Sequence, residues 1–201
     1  LAPGTKVYGE NVVRQGANEF REWNPYRSKL GAAIAKGIKK MPIRPGSNVL
    51  YLGAAEGTTI SHLSDIVGKK GIIFGVDISA RSMRKFIYLC EQRPNLVPIL
   101  ADAEQAQQYL EHIERFSIDV MFQDVSQKNQ AEIFLRNARI YLKGGGYGFL
   151  SIKARSISSG GDANRIVREE AAKLEKEFEI LKIVNLEPFE AEHAMVYCRK
   201  K

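Results

Sequence analysis

Short apolar runs and helix-patterned stretches take turns along most of this chain, and that alternation restricts the fold more than any other feature. SNVLYLG (47–53) reads as a buried strand, and GIIFGVD (71–77), NLVPILAD (95–102), IDVMFQDV (118–125) and GGYGFLSIKA (145–154) as further strands. Pro98 weakens the third of them. Between them lie TTISHLSDIVG (58–68), ARSMRKFIYLCEQR (80–93), AEQAQQYLEHIE (103–114) and NQAEIFLRNARIYL (129–142), each with helical spacing. Ile60, Leu63 and Val67 form one such apolar stripe. After a further helix in DANRIVREEAAKLEKEF (162–178), the runs 179–189 and 193–201 are strands with no helix between them. Strands separated by helices require crossover connections and hence a mainly parallel sheet with helices on both faces. The last two strands break the rule, so one of them is expected to run antiparallel.

The reading is therefore α/β and Rossmann-like, with a mainly parallel seven-stranded sheet and a small N-terminal β element. In the first forty residues Val7, Tyr8, Val12 and Val13 suggest short strands between glycines. Asn24-Pro25 marks a turn, and Ser28 is placed to cap a helix running to about Lys40, with Leu30, Ile34 and Ile38 on one face. This divides the chain into an N-terminal β element with a linking helix (1–40) and a main domain (41–201). The glycine patches 144–146 and 160–161 read as loops between elements. There is no internal repeat and no low-complexity segment.

In an open parallel sheet, ligands bind beyond the carboxyl ends of the strands. Here those ends are Gly53, Asp77, Asp102, Asp124 and Lys153. An acidic residue after a strand is often only a turn former or helix cap, but four successive charged ends are harder to assign to turns alone. Asp77 follows Gly53 at nearly the spacing at which a carboxylate accepts hydrogen bonds from ribose hydroxyls. The loop Gly53-Ala54-Ala55-Glu56-Gly57 lacks the middle glycine of G-x-G-x-x-G, and Glu56 would repel a phosphate. No G-x-x-x-x-G-K-[ST] loop is present. The pattern fits a nucleoside without phosphates whose cationic part tolerates a carboxylate. S-adenosylmethionine meets that description, and NAD is disfavoured.

Composition narrows the partners. Thirty Lys+Arg against 23 Asp+Glu give a net charge of +7 and a pI near 9.4, which favours a polyanion such as RNA. No stretch is apolar and long enough to span a membrane, and none resembles a secretory signal. Cys90 and Cys198, far apart and in apolar settings, read as buried thiols of a reducing compartment, and the three histidines show no metal-ligand spacing.

NPYRSKLGAAI, YLGAAEGTTISHLSD, PILADA, QDVSQ, YLKGGGYGFLSIKARSI and NLEPFEAEHAMV resemble the fibrillarin family in its archaeal form, in order and from about Val7 to the end. The resemblance implies a class I S-adenosylmethionine-dependent methyltransferase fold. It implies a ribose 2′-O-methyltransferase acting on rRNA, and on tRNA in archaea, as the catalytic subunit of a box C/D guide RNA particle. The implied partners are a guide RNA with its target, a Nop-domain scaffold protein and a kink-turn-binding ribosomal-type protein, with no membrane. The implied location is the cytoplasm of an archaeal cell, or the nucleolus of a eukaryotic one. The implied cofactor contacts are Gly53 and Ala54 in the loop, Thr58 and Thr59 at the methionine part, Asp77 and Ile78 around ribose and adenine, and Asp102 and Ala103 at the adenine. Asp124, Val125, Ser126 and Gln127 would border the methyl group. The implied catalytic set is Lys29, Asp124, Lys153 and His193. The family usually has serine at Glu56 and often glutamate at Asp77.

A ribose 2′-hydroxyl is a poor nucleophile until its proton is removed or its oxyanion is stabilised. A lysine can take that proton only when neutral, which calls for burial or a neighbouring cation. Lys153 is favoured over Lys29 as base because it ends a rigid strand beside Asp124. The competing readings are a non-catalytic RNA-particle subunit and a small-molecule methyltransferase. The retained lysines with Asp124 weigh against the first, and the basic charge against the second.

Overall fold

The computed structural model describes residues 1–158 and 162–201, so the glycine pair 160–161 lies outside the described residues. A hairpin of β1 (Val12–Gln15) and β2 (Asn18–Arg21) comes first, then α1 (Lys29–Ala35). Alternating units follow: β3 (Asn48–Leu52), α2 (Thr58–Val67), β4 (Ile72–Asp77), α3 (Ala80–Gln92) and β5 (Leu96–Leu100). Next come α4 (Leu110–Ile113), β6 (Ile118–Gln123), α5 (Gln130–Tyr141) and β7 (Leu142–Lys153). The chain continues through α6 (Ala154–Ile157) and α7 (Ala163–Leu174) to β8 (Phe178–Asn185) and β9 (His193–Lys200). The seven-stranded sheet has the order β5-β4-β3-β6-β7-β9-β8. Strand β9 runs antiparallel to both of its neighbours, β7 and β8.

Alternation along each strand divides the core into two layers. Val49 and Tyr51 of β3 face one side with Leu30, Ile60, Leu63 and Phe86 from α1, α2 and α3. Leu50 and Leu52 face the other side with Ile113, Phe134 and Leu174 from α4, α5 and α7. Pro98 is tolerated because β5 is an edge strand.

Four expectations change. Val7 and Tyr8 lie in bends ahead of the hairpin rather than in a strand, and Glu10 holds their N–H groups. Helix α1 stops at Ala35 rather than near Lys40. Gly37 takes φ +99° and closes a Schellman motif, with Ile38 N–H donating to Ala33 O at 3.1 Å and Gly37 N–H to Ile34 O at 2.9 Å. Ile34 is consequently exposed while Ile38 is buried beyond the helix. The glycines 144–146 belong to β7 rather than to a loop: Ile118 pairs with Leu142 and Val120 with Tyr147, so residues 143–146 bulge out of a continuous strand. The stretch 103–114 forms a 3-10 turn and only one short helix, because Asp102 turns the chain by accepting the Glu104 N–H at 2.9 Å.

The N-terminal hairpin is fastened to α2 and α3 by charge. Arg21 donates to Glu10 Oε1 at 2.6 Å and to Asp65 Oδ2 at 2.7 Å, and the fully buried Arg93 donates to Asp65 Oδ1 at 2.6 Å. Burial would raise the Glu10 and Asp65 carboxyls. Backbone N–H groups of Tyr8 and Val7, with Arg21, instead hold Glu10 at about 2, and Arg93 and Arg21 hold Asp65 at about 2. His62 of α2 stacks on Trp23, ring centroids 4.9 Å apart, and its Nε2 lies 2.7 Å from the Tyr8 hydroxyl.

Candidate active site

The carboxyl ends of β3, β4, β6 and β7 converge on one edge of the sheet, and the loop after β3 forms its centre. Gly53 takes φ +86°, and a β-carbon there would lie 2.1 Å from the carbonyl oxygen of Asp124. The loop is therefore pressed against the end of β6, and only glycine permits it. Ala55 is also left-handed, at φ 48°, an uncommon state for a residue with a side chain. Asp77 stabilises that turn: its Oδ2 accepts the Ala55 N–H at 2.7 Å, and its Oδ1 accepts the Ser79 N–H at 2.8 Å. Helix α2 then begins at Thr58 with no side-chain cap.

The residues singled out in the sequence lie around this loop. Ile78 is 64% exposed, a large aliphatic surface directly after Asp77. Asp102 Oδ1 accepts from Gln127 Nε2 at 3.2 Å, which brings the loop after β6 over the end of β5, and Ala103 is buried beside it. Thr59 Oγ1 donates to Ser28 Oγ at 3.0 Å, joining the starts of α1 and α2. Glu56 points away to Lys85 of α3, an exposed ion pair. Its carboxylate is thus partly neutralised outside the loop, and repulsion by Glu56 is a weaker argument against phosphate than the sequence suggested. The missing middle glycine stands.

The four implied catalytic residues come from four elements. Lys29 Nζ lies 2.7 Å from Asp124 Oδ2, both side chains about one-fifth to one-quarter exposed, at 20% and 24%. Ser28 places Lys29 at the first turn of α1, its Oγ accepting the Gly31 N–H at 3.2 Å. Lys153 ends β7 and pairs in register with His193, the first residue of β9. The sequence expected Asp124 to stand with Lys153. The carboxylate pairs instead with Lys29, and the Lys153 amine makes no hydrogen bond or ion pair with the described residues. His193 Nδ1 lies 2.7 Å from the Ala191 carbonyl oxygen, with Glu190 at 4.0 Å.

A family model described as Fibrillarin matches residues 1–201. The chain belongs to the fibrillarin family. It is 47% identical over 200 residues to the fibrillarin-like rRNA/tRNA 2′-O-methyltransferase of Pyrococcus abyssi, covering 100% of this chain and 87% of that protein. It is similar to the Aeropyrum pernix fibrillarin crystallised with natively bound S-adenosyl-L-methionine. The TM-score there is 0.90 at 43% identity, over 98% of this chain and 85% of that one. A fibrillarin/Nop5p complex matches at TM-score 0.87 and 39% identity, over 94% of this chain and 87% of that one.

Within this fibrillarin framework, sequence reasoning overlooked Tyr51, Gln123 and Gln130. Tyr51 sits under the site on β3. Burial pushes its phenol well above the usual range, the Asp124 carboxylate adds to this, and a hydrogen bond with Thr59 opposes it. Gln123 and Gln130 are fully buried. Their signal was faint: a polar side chain closing an apolar strand, and another opening a helix. Among the described residues no group of three or more His, Cys, Asp or Glu is arranged to hold a metal ion. Cys198 is buried and Cys90 half-buried, both free, and burial raises both thiols. A groove of about 1230 Å³ lies at the opposite end of the strands, near Ser47 and Asp119, and takes no part in this arrangement.

Proposed function

We propose that this chain is an RNA ribose 2′-O-methyltransferase that uses S-adenosylmethionine and works as the catalytic subunit of a box C/D guide ribonucleoprotein on rRNA and tRNA. The observation that carries this reading is the Lys29–Asp124 pair, at 2.7 Å, with Lys153, whose amine has no partner among the described residues, at the same edge of the sheet. The cofactor class fits the residues present. Carboxylates end successive strands at Asp77 and Asp102, the exposed Ile78 offers cover for a flat ring, and the loop folds so tightly that a β-carbon at Gly53 would strike Asp124. Gly53, Ala54, Thr58, Thr59, Asp77, Ile78, Asp102 and Ala103 would hold it, with Val125, Ser126 and Gln127 along the methyl side. Bound there, S-adenosylmethionine supplies an activated methyl carbon and a thioether leaving group.

The chain's own residues then deal with the 2′-hydroxyl. Lys153 takes its proton as the oxygen attacks. Lys29, oriented by Asp124, gives its remaining N–H donors to the negative charge that develops on that oxygen. His193, fixed by the β7–β9 register, lines the RNA side of Lys153. Guide pairing chooses the nucleotide. A Nop-domain scaffold and a kink-turn-binding protein complete the particle, a reading supported in part by the fibrillarin/Nop5p complex among the similar structures.

Labelled S-adenosylmethionine, a guide-matched RNA and the partner proteins test this together. The expected product is one 2′-O-methyl group at the guide-matched nucleotide. Label on a base, or none in the complete assembly, would overturn the reading.

A further inference from the structure

We propose that Gln130, interlocked with Gln123, is a positioning residue that sets Lys153 against Asp124; this rests on the catalytic reading of those two residues. The ladder between β6 and β7 ends at Gln123–Leu150, whereas the ladder between β7 and β9 runs on to Lys153–His193. The last residues of β7 thus project past β6 with no strand on that side among the described residues. The side chain of Gln130 stands in for the missing strand: its Oε1 accepts the main-chain N–H of Lys153 at 3.0 Å. Lys153 is held from both sides, by a strand and by one amide.

The same residue closes a second link. Gln123, the residue before Asp124, donates from Nε2 to the main-chain oxygen of Gln130 at 2.7 Å. Residues 124–129, which carry Asp124 and the loop to the methyl side, are therefore clamped at their base. Glu170 of α7 anchors the adjoining Ala131 N–H at 3.1 Å.

Stability alone does not account for the pair. Gln123 Oε1 and Gln130 Nε2 are buried with no hydrogen-bond partner among the described residues. A half-satisfied buried amide lowers stability relative to an apolar side chain of similar shape. What the two glutamines provide is a fixed distance between the ends of β6 and β7, where the candidate reacting groups sit.

Gln130→Met keeps the length and removes the acceptor. Gln130→Glu keeps an acceptor oxygen in either protonation state. In the assembled guide particle, Gln130→Met should lower the single-turnover rate at saturating RNA about 10–100-fold, the scale at which a misplacement near 1 Å is felt. S-adenosylmethionine affinity should stay within about twofold, a split that general loosening would not give. The Lys153 amide should lose hydrogen-exchange protection in Gln130→Met and keep it in Gln130→Glu, whose rate should return to within about fivefold of wild type. Gln123→Met supplies an independent break of the interlock and should slow the same step. A wild-type rate in Gln130→Met, or equal losses in the Met and Glu variants, overturns the inference. Lys153→Ala separates the two levels: if that variant also keeps a wild-type rate, the catalytic reading falls and this one with it.

Discussion

The pairing of Lys29 with Asp124 leaves the Lys153 amine with no carboxylate partner among the described residues, and the proposed mechanism divides the labour between the two lysines accordingly. Lys153→Ala should lower the single-turnover rate by about 10²–10⁴-fold, the usual reach of a general base, with near-normal cofactor binding. If Lys153 only met RNA phosphate, the variant would instead show weaker, more salt-sensitive RNA binding and normal chemistry at saturation. Gly53 carries a steric demand of a different kind. Gly53→Ala must place a methyl group 2.1 Å from the Asp124 carbonyl in a left-handed conformation. It should lose more than about 1 kcal/mol of stability from the backbone term alone, and S-adenosylmethionine binding should weaken further. Thermal melting and calorimetry check both, and an unchanged melt with unchanged affinity would refute the close approach. The acidic strand ends were legible in the sequence because strand ends are local features. Which lysine pairs with Asp124 was not, since 95 residues separate Lys29 at the start of α1 from Asp124 just beyond β6, and only the tertiary fold brings them together.

At the scale of elements, the N-terminal hairpin depends on groups that titrate in acid. Burial lowers His62 to about 4, and Arg21 adds to this, while Glu10 and Asp65 push the other way. The unfolded chain therefore binds a proton at His62 between about pH 6.5 and 4 that the folded chain refuses, so stability is lost as pH falls through that window. The depressed Glu10 and Asp65 carboxyls act in the same sense at lower pH. Their contribution is complete above about pH 4.5 and is lost as pH falls towards 2. Acidification from pH 7 to pH 4 should free residues 1–25 to proteolysis before the sheet unfolds. His62→Phe should flatten the upper part of the profile, worth on the order of 2–3 kcal/mol. A wild-type melting temperature flat between pH 7 and 4 would contradict this. Most strands and helix α2 were readable because their apolar period is set within each segment. The end of α1 was not, because Leu30, Ile34 and Ile38 keep helical spacing across a stop made by one glycine. The bulge at residues 143–146 was hidden for a related reason: glycines signal a loop equally well when they are an irregular strand.

For the whole molecule, the sequence indicated a mainly parallel sheet but not its order, which depends on contacts between distant segments. The purified chain should be nearly inactive on bare RNA, since the proposed guide pairing and scaffold contribute the placement of the target. Site-specific methylation by the chain alone, measured by primer extension, would count against a guide-dependent role. The sheet order carries a further consequence. Strand β9 follows β8 in the chain yet lies between β7 and β8, so β8 cannot join the sheet until β9 has been made. During synthesis, every loop proposed to touch the cofactor leaves the ribosome before the strand that seats Lys153 opposite His193. A growing chain halted after α7 should thus lack a finished reaction centre even where its earlier strands have already paired. On the proposed assignment, completion of the centre is tied to arrival of the last strand. Ribosome-bound chains halted before and after β9, compared for protection of the Lys153 segment from protease, would reveal that order of events.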